Sequence, residues 1–203
     1  LFYFKYIEKD WCRKCDYIVI PEESAKFAYY DEFHPKIRII PQGFNLDAVI
    51  IPAYTKNPIP TFAYAGGLAL HYRNPVPFLE FLSTLDIDFK FVMYTQSSIP
   101  ESFRNKLGNK LVLLDYIPRS ELLVVLSKMD FVVNFENNTS VQVPSKLIDY
   151  SIINRPVLSI NSRLNCDLIM QFMNGDYSNK YKLPDLAKYD IKNVANQFID
   201  LIC

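Results

Sequence analysis

Glycine is scarce, 5 of 203 residues. The chain therefore has neither the GxGxxG nor the GxxxxGKS/T phosphate loop, and each glycine marks a place where backbone must turn or approach closely. Net charge is missing too. Lys+Arg and Asp+Glu both total 22, so no global field is available to hold a polyanion, and nucleic acid is not an expected partner. A small anion needs only a local cluster of donors and remains open. With two histidines, His34 and His71, no Ser–His–Asp or His-rich arrangement emerges, and hydrolase or metal chemistry has no support. The cysteines Cys12, Cys15, Cys166 and Cys203 have no disulfide-framework spacing, which fits a reduced, cytoplasmic setting. The Cys12-Arg13-Lys14-Cys15 pair closes a helical pattern, whereas a thioredoxin-type pair opens one after a strand. No apolar run approaches the ~20 residues that span a bilayer. No secretory leader opens the chain, and its aromatic start, Leu1 to Ile7, reads as a cut into a larger protein.

What is present is globular: half of the residues are hydrophobic, with 14 Tyr and 15 Phe. Short apolar runs alternate with helix-period segments. Phe2 to Cys15 and Glu22 to Phe33 read as helical, Tyr17 to Ile20 and Ile37 to Ile40 as strands. Asp47 to Pro60 carries Pro52, Pro58 and Pro60 and reads as a linker. From Thr61 a regular series follows. Strands are expected at Thr61–Ala65, Phe89–Tyr94, Leu111–Leu114, Phe131–Phe135 and Pro156–Ile160, with helices between them. Ser120 is expected to cap the helix that runs through Ser127, and Ile191 to Ile202 closes the series as a helix. Such alternation predicts an α/β fold, a Rossmann-like parallel sheet with helices on both faces. The organisation expected is an N-terminal piece at 1–46, a linker at 47–60 and a main domain at 61–203.

In an open parallel sheet, ligands bind beyond the carboxyl ends of the strands. The loops found there carry the candidate residues. Gly66-Gly67 ends a buried strand, and Arg73 follows in the same loop; a tight turn and a surface arginine are the plain alternatives. Pro144-Ser145-Lys146 opens a helix, whose N-terminus offers free N–H groups and a positive dipole end to phosphate. Lys146 adds a cation and Asp149 a carboxylate one turn on, suited to ribose hydroxyls; a Ser-capped, solvated helix is the plain alternative.

Five segments in order resemble the large retaining "group 1" glycosyltransferases of GT-B fold: Cys15 to Pro21, Ile39-Ile40-Pro41-Gln42-Gly43-Phe44-Asn45, Phe62 to Leu68, Leu113 to Pro118, and Val143 to Tyr150 followed by Asn154 to Leu158. The resemblance implies the C-terminal, nucleotide-sugar-binding domain of that fold, with a remnant of the N-terminal, acceptor-binding domain. The ligand implied is a nucleoside-diphosphate sugar, as donor substrate, with no further cofactor and no metal. Gly66 and Gly67 would approach the sugar or diphosphate, Ser145 and Lys146 would begin the phosphate-binding helix, and Tyr116 and Ile117 would present backbone to the base. Asp149 falls on the second acid of the family's E-x7-E motif, the one that holds ribose.

The sequence departs from that pattern in two places. The first acid of the motif is Val141, with Glu136 too far upstream to match by spacing, and the arginine usual after the first loop glycine is Gly67, leaving Arg73 to supply charge. No catalytic residue is assigned. The resemblance implies hexosyl transfer to a saccharide or lipid-linked acceptor in polysaccharide or glycan biosynthesis. The acceptor would be held through the missing N-terminal domain, so this chain alone is expected to be inactive. Membrane association is expected to be peripheral at most, at the inner membrane face. Two alternatives are a non-catalytic nucleotide-sugar-binding partner subunit and a GT-B-type nucleotide-sugar epimerase, the latter disfavoured by the few acids and bases in these loops.

Overall fold

Continuous β-branched and aromatic runs of three to five residues set the strands, and the proline-marked breaks between them set the helix starts. The computed structural model describes residues 3–48, 50–68, 73–136 and 146–202. In chain order it contains α1 (Lys9–Lys14), entered through a widely wound helical stretch Tyr3–Glu8, then β1 (Ile18–Ile20) and β2 (Ile37–Ile39). Then follow β3 (Thr61–Ala65), α2 (Val76–Ser83), β4 (Lys90–Tyr94), α3 (Glu101–Leu107), β5 (Leu111–Leu114) and α4 (Arg119–Leu126). The series ends with β6 (Phe131–Phe135), α5 (Lys146–Ile153), β7 (Val157–Ile160), α6 (Cys166–Met173) and α7 (Ile191–Ile199). The expected helix at 22–33 is instead two tight 3-10 segments, Glu23–Ala28 and Asp31–Lys36. Ser120 is not a cap. The helix begins at Arg119 directly after Pro118, which places Ser120 inside the first turn.

The chain divides into two compact units: 1–46 with 185–203, and 47–184, apart from a few loop residues outside those described. In the larger unit, five parallel strands lie in the order β5-β4-β3-β6-β7. Both faces are covered. Phe62, Tyr64, Phe91, Met93, Phe131, Val133 and Phe135 meet α2, α3 and α6, while Ala63, Ala65, Val92, Val132 and Val157 meet α4 and α5. The many phenylalanines have a structural use on the first face. Phe62 stacks on Phe131 at 4.5 Å and on Phe91 at 4.9 Å between ring centroids, a ladder across three strands. The fold class is thus the parallel, doubly covered α/β sheet that the alternation predicted.

The proline-rich segment ahead of β3 is pinned to the amino edge of the sheet. The buried Asp130 carboxylate accepts from the Tyr54 hydroxyl, from Asn57 N (3.2 Å) and from Thr61 N (2.7 Å). Arg155 lies 3.8 Å over the Tyr54 ring.

The smaller unit pairs β1 with β2 in parallel. The sequence reading grouped residues 185–203 with the main sheet, but here α7 packs in the smaller unit. Phe44 N donates to Tyr189 O (2.7 Å) and Ile191 N to Phe44 O (3.0 Å). Gly43 makes the approach possible: a Cβ there would sit 3.3 Å from the Ile191 Cα and 2.5 Å from its Cδ1. Cys12 is a buried thiol within this unit's core, and burial pushes its pKa up, the environment of an inert cysteine. Among the described residues no helix is long and apolar enough to cross a membrane.

Candidate functional site

At the carboxyl edge of the larger sheet the chain leaves β3 through Gly66, whose φ of 140° an L side chain rarely adopts. Gly66 N donates to Tyr94 O of the neighbouring strand (3.0 Å). The turn is fixed from below by Tyr64, a fully buried side chain whose hydroxyl donates to Gly67 O (2.8 Å). Ser97, in the loop after β4, closes on the same turn, accepting from Leu68 N (2.9 Å) and donating to Leu68 O (3.2 Å). A pocket of about 430 Å³ opens beside it, lined by Leu68, Val76, Ser97 and Ile99 among others.

Three further side chains converge on Tyr64. Arg73 Nη1 reaches Gly67 O at 3.5 Å. Tyr116, exposed in the loop after β5, brings its hydroxyl within 3.7 Å of the position a Gly67 Cβ would take. Lys146, first residue of α5, holds its Nζ 4.5 Å from the centroid of the Tyr64 ring. That ammonium is buried and has no hydrogen-bond partner among the described residues. Burial, and then the charge of Arg73, pull its pKa down from 10.5 to about 7. Burial also pushes the Tyr64 phenol up to about 12, against the opposing pull of Arg73. A buried cation with no counter-charge costs several kcal/mol. Proteins carry such strain mainly where a ligand supplies the missing charge.

Asp149 sits one turn into α5, and its Oδ1 accepts from Arg119 Nε (2.9 Å) and Nη2 (2.5 Å). The sequence reading missed Arg119, thirty residues distant. The available signal was a cation in the first turn of a helix, where the dipole opposes it. Tyr64 was missed as well, because its place in a buried strand reads as core. Glu136, just past β6, donates its N–H to Ile160 O (2.9 Å), and its Oε1 accepts from Ser159 Oγ (2.7 Å).

The structure thus brings Gly66, Gly67, Arg73, Tyr116 and Lys146 together around Tyr64. Ile117 packs against the α4–α5 face of the core. Asp149 is turned to Arg119. Ser145 and Val141 lie outside the described residues.

The strand order and the carboxyl-edge crevice can be set beside known structures. The galactosyltransferase WaaB of the lipopolysaccharide outer core, in its apo form, aligns with a TM-score of 0.61 at 13% identity, over 93% of this chain and 62% of that one. HepE of Anabaena in complex with UDP aligns at 0.64 with 9% identity, over 94% and 64%. AviGT4, a glycosyltransferase involved in avilamycin A biosynthesis, gives 0.58 and 10%, over 90% and 62%. The fold, a five-stranded parallel sheet covered by helices on both faces, matches the Rossmann-like half of the GT-B fold of these structures. The chain spans less than two thirds of the length of these structures. No family model matches the sequence, and no curated protein matches it.

Proposed function

We propose that the larger unit binds a nucleoside-diphosphate sugar across the carboxyl edge of its sheet, as the donor domain of a glycosyltransferase. The observation that carries this reading is the Lys146 side chain, buried and without a hydrogen-bond partner among the described residues, beside Arg73 and the Gly66-Gly67 turn. A diphosphate would supply the absent negative charge, and the backbone at two adjacent glycines leaves room for its close approach. The base would lie toward Tyr116 and Ile117, and the ribose toward Asp149. The described crevice holds few candidate proton donors and acceptors, which favours transfer over epimerisation. Hexosyl transfer to a saccharide or lipid-linked acceptor further requires an acceptor site closed against this one, to exclude water and align the reacting atoms. For the chain itself the activity proposed is therefore donor binding, with transfer below a useful rate. Thermal-shift measurement with a panel of nucleotide sugars tests the reading. A concentration-dependent rise in Tm supports it, and no rise with any of them removes it.

The Arg119–Asp149 pair gives a sharper expectation. Both guanidinium contacts fall on Oδ1, so Oδ2 is the oxygen left to a ribose hydroxyl. Asp149→Ala should weaken nucleoside diphosphate binding by ~1–3 kcal/mol. Arg119→Ala should weaken it less, because the carboxylate survives without its brace. Calorimetry on both variants checks this order; equal affinities in both variants and the unmodified chain would leave Asp149 a solvated helix residue.

A further inference from the structure

The larger sheet is not evenly paired. β3 meets β4 over five residue pairs and β6 meets β7 over four, but β3 meets β6 over two, Phe62–Phe131 and Ala63–Val132. This seam is where the strand order reverses, since the chain runs outward through β4 and β5 before returning to β6 and β7. Ligands of open parallel sheets bind at such a seam, outside the carboxyl ends of its strands.

What parts the two strands is a side chain. Val132 N donates to Pro156 O on the β7 side, so Val133, the next residue, turns its backbone groups to β3. In register, the ladder's next bond would run from Ala65 N to Val133 O. Val133 O instead accepts from the hydroxyl of Tyr150 (3.0 Å), and the Ala65 backbone N–H donates to the same hydroxyl oxygen. Tyr150 is a fully buried residue of α5, and burial pushes its pKa up, so the hydroxyl stays protonated and neutral. A hydroxyl set between donor and acceptor keeps them ~5 Å apart, where a direct bond would hold them at ~3 Å. Both backbone groups stay satisfied, so the gap orphans neither of them.

That gap and the candidate site share their parts. Gly66, directly after Ala65, is tied by its N–H to Tyr94 O on β4 rather than to β6. Lys146 precedes Tyr150 by four residues, one turn up the same face of α5, and its Nζ lies 4.5 Å from the Tyr64 ring centroid. One hydroxyl thus spaces the strands and anchors the helix that carries the lysine. We propose that Tyr150 is a positioning residue for donor binding: its hydroxyl holds the β3–β6 seam open and sets Lys146 where a diphosphate meets it. This rests on the donor-binding reading and adds to it a residue that shapes the site without touching the ligand. A core tyrosine with no such role would affect stability but not the affinity of the folded protein.

Calorimetry with UDP, GDP, ADP and dTDP on the 203-residue chain first identifies the diphosphate that binds. Tyr150→Phe is then titrated with that diphosphate, alone and combined with Lys146→Met. The variant keeps the ring and frees Ala65 N and Val133 O to bond each other, closing the seam. Affinity should fall about tenfold in the unmodified background and change by less than about twofold in the Lys146→Met background, the non-additivity of residues that act together. Tm should change little, because the freed backbone groups have each other as partners. No affinity loss in Tyr150→Phe, or an equal loss in both backgrounds, overturns the proposal and leaves donor binding standing. A Tyr150→Phe chain that does not fold overturns it too, because the hydroxyl would then be needed by the sheet itself. Absence of binding by all four diphosphates to the unmodified chain overturns the donor-binding reading and this proposal with it.

Discussion

Lys146→Met is expected to weaken nucleoside diphosphate binding by ~2–3 kcal/mol near neutral pH, and to leave the fold as stable as before or more so. The two signs belong together. Methionine fills the volume beside the Tyr64 ring without the cost of burying an amine that has no hydrogen-bond partner among the described residues, so the ligand-free state is relieved while the complex loses a contact. The pH dependence follows from the depressed pKa. Between about 7 and 10.5 the unfolded chain binds a proton at Lys146 that the folded chain does not. This residue's contribution to stability therefore rises with pH through that window and is constant below it. Binding runs the other way. A diphosphate favours the protonated lysine, so affinity should fall as pH climbs above about 7, and the methionine variant should lack that slope. Melting curves and titrations across the window decide it; a variant that binds as tightly as the unmodified chain would take the lysine out of the site.

The second large effect is on stability alone. Asp130→Ala should destabilise the larger unit by ~2–5 kcal/mol, because Thr61 N, Asn57 N and the Tyr54 hydroxyl lose their common acceptor together. Asp130→Asn separates geometry from charge. Thr61 N bonds Oδ2 while the other two donors share Oδ1, so an amide turns an N–H toward at least one donor and should recover only part of the loss. Nucleotide affinity of the surviving folded fraction should not change, since Asp130 lies at the opposite edge of the sheet. Urea unfolding of the three proteins checks this. A loss under ~0.5 kcal/mol in Asp130→Ala would show that the proline-rich segment is not held by this carboxylate.

That segment shows where the sequence was readable and where it was not. Strand positions in the larger unit were legible because every one of them, from Phe62 to Ile160, sits in an apolar run bounded by turn residues, and local pattern suffices for a buried parallel strand. Asp47 to Pro60 looked like a free linker because its anchor, Asp130, is some seventy residues away. The placement of α7 in the smaller unit was hidden for the same reason: an amphipathic helix declares a buried face but not which surface covers it. The division holds at the site as well. Gly66, Gly67, Arg73 and Lys146 were visible as loop and helix-start residues. The partner of Asp149 was not, since no local rule joins Arg119 to α5. Tyr64 was read as packing, and it does pack, yet its hydroxyl fixes the glycine turn and its ring carries the lysine. One residue that serves the core and also lines the candidate site leaves a sequence signal for the core alone.

Counting protons on binding is the most direct test of a diphosphate charge meeting a buried, largely neutral Lys146. A nucleotide sugar suits the purpose, because its doubly esterified diphosphate has no ionisation near neutrality and any proton exchanged comes from the protein. Calorimetric titrations near pH 8, in buffers of different ionisation enthalpy, should show the uptake of close to one proton per ligand bound, and Lys146→Met should abolish it. Saturable binding with no proton uptake, or uptake that persists in the methionine variant, would contradict the account.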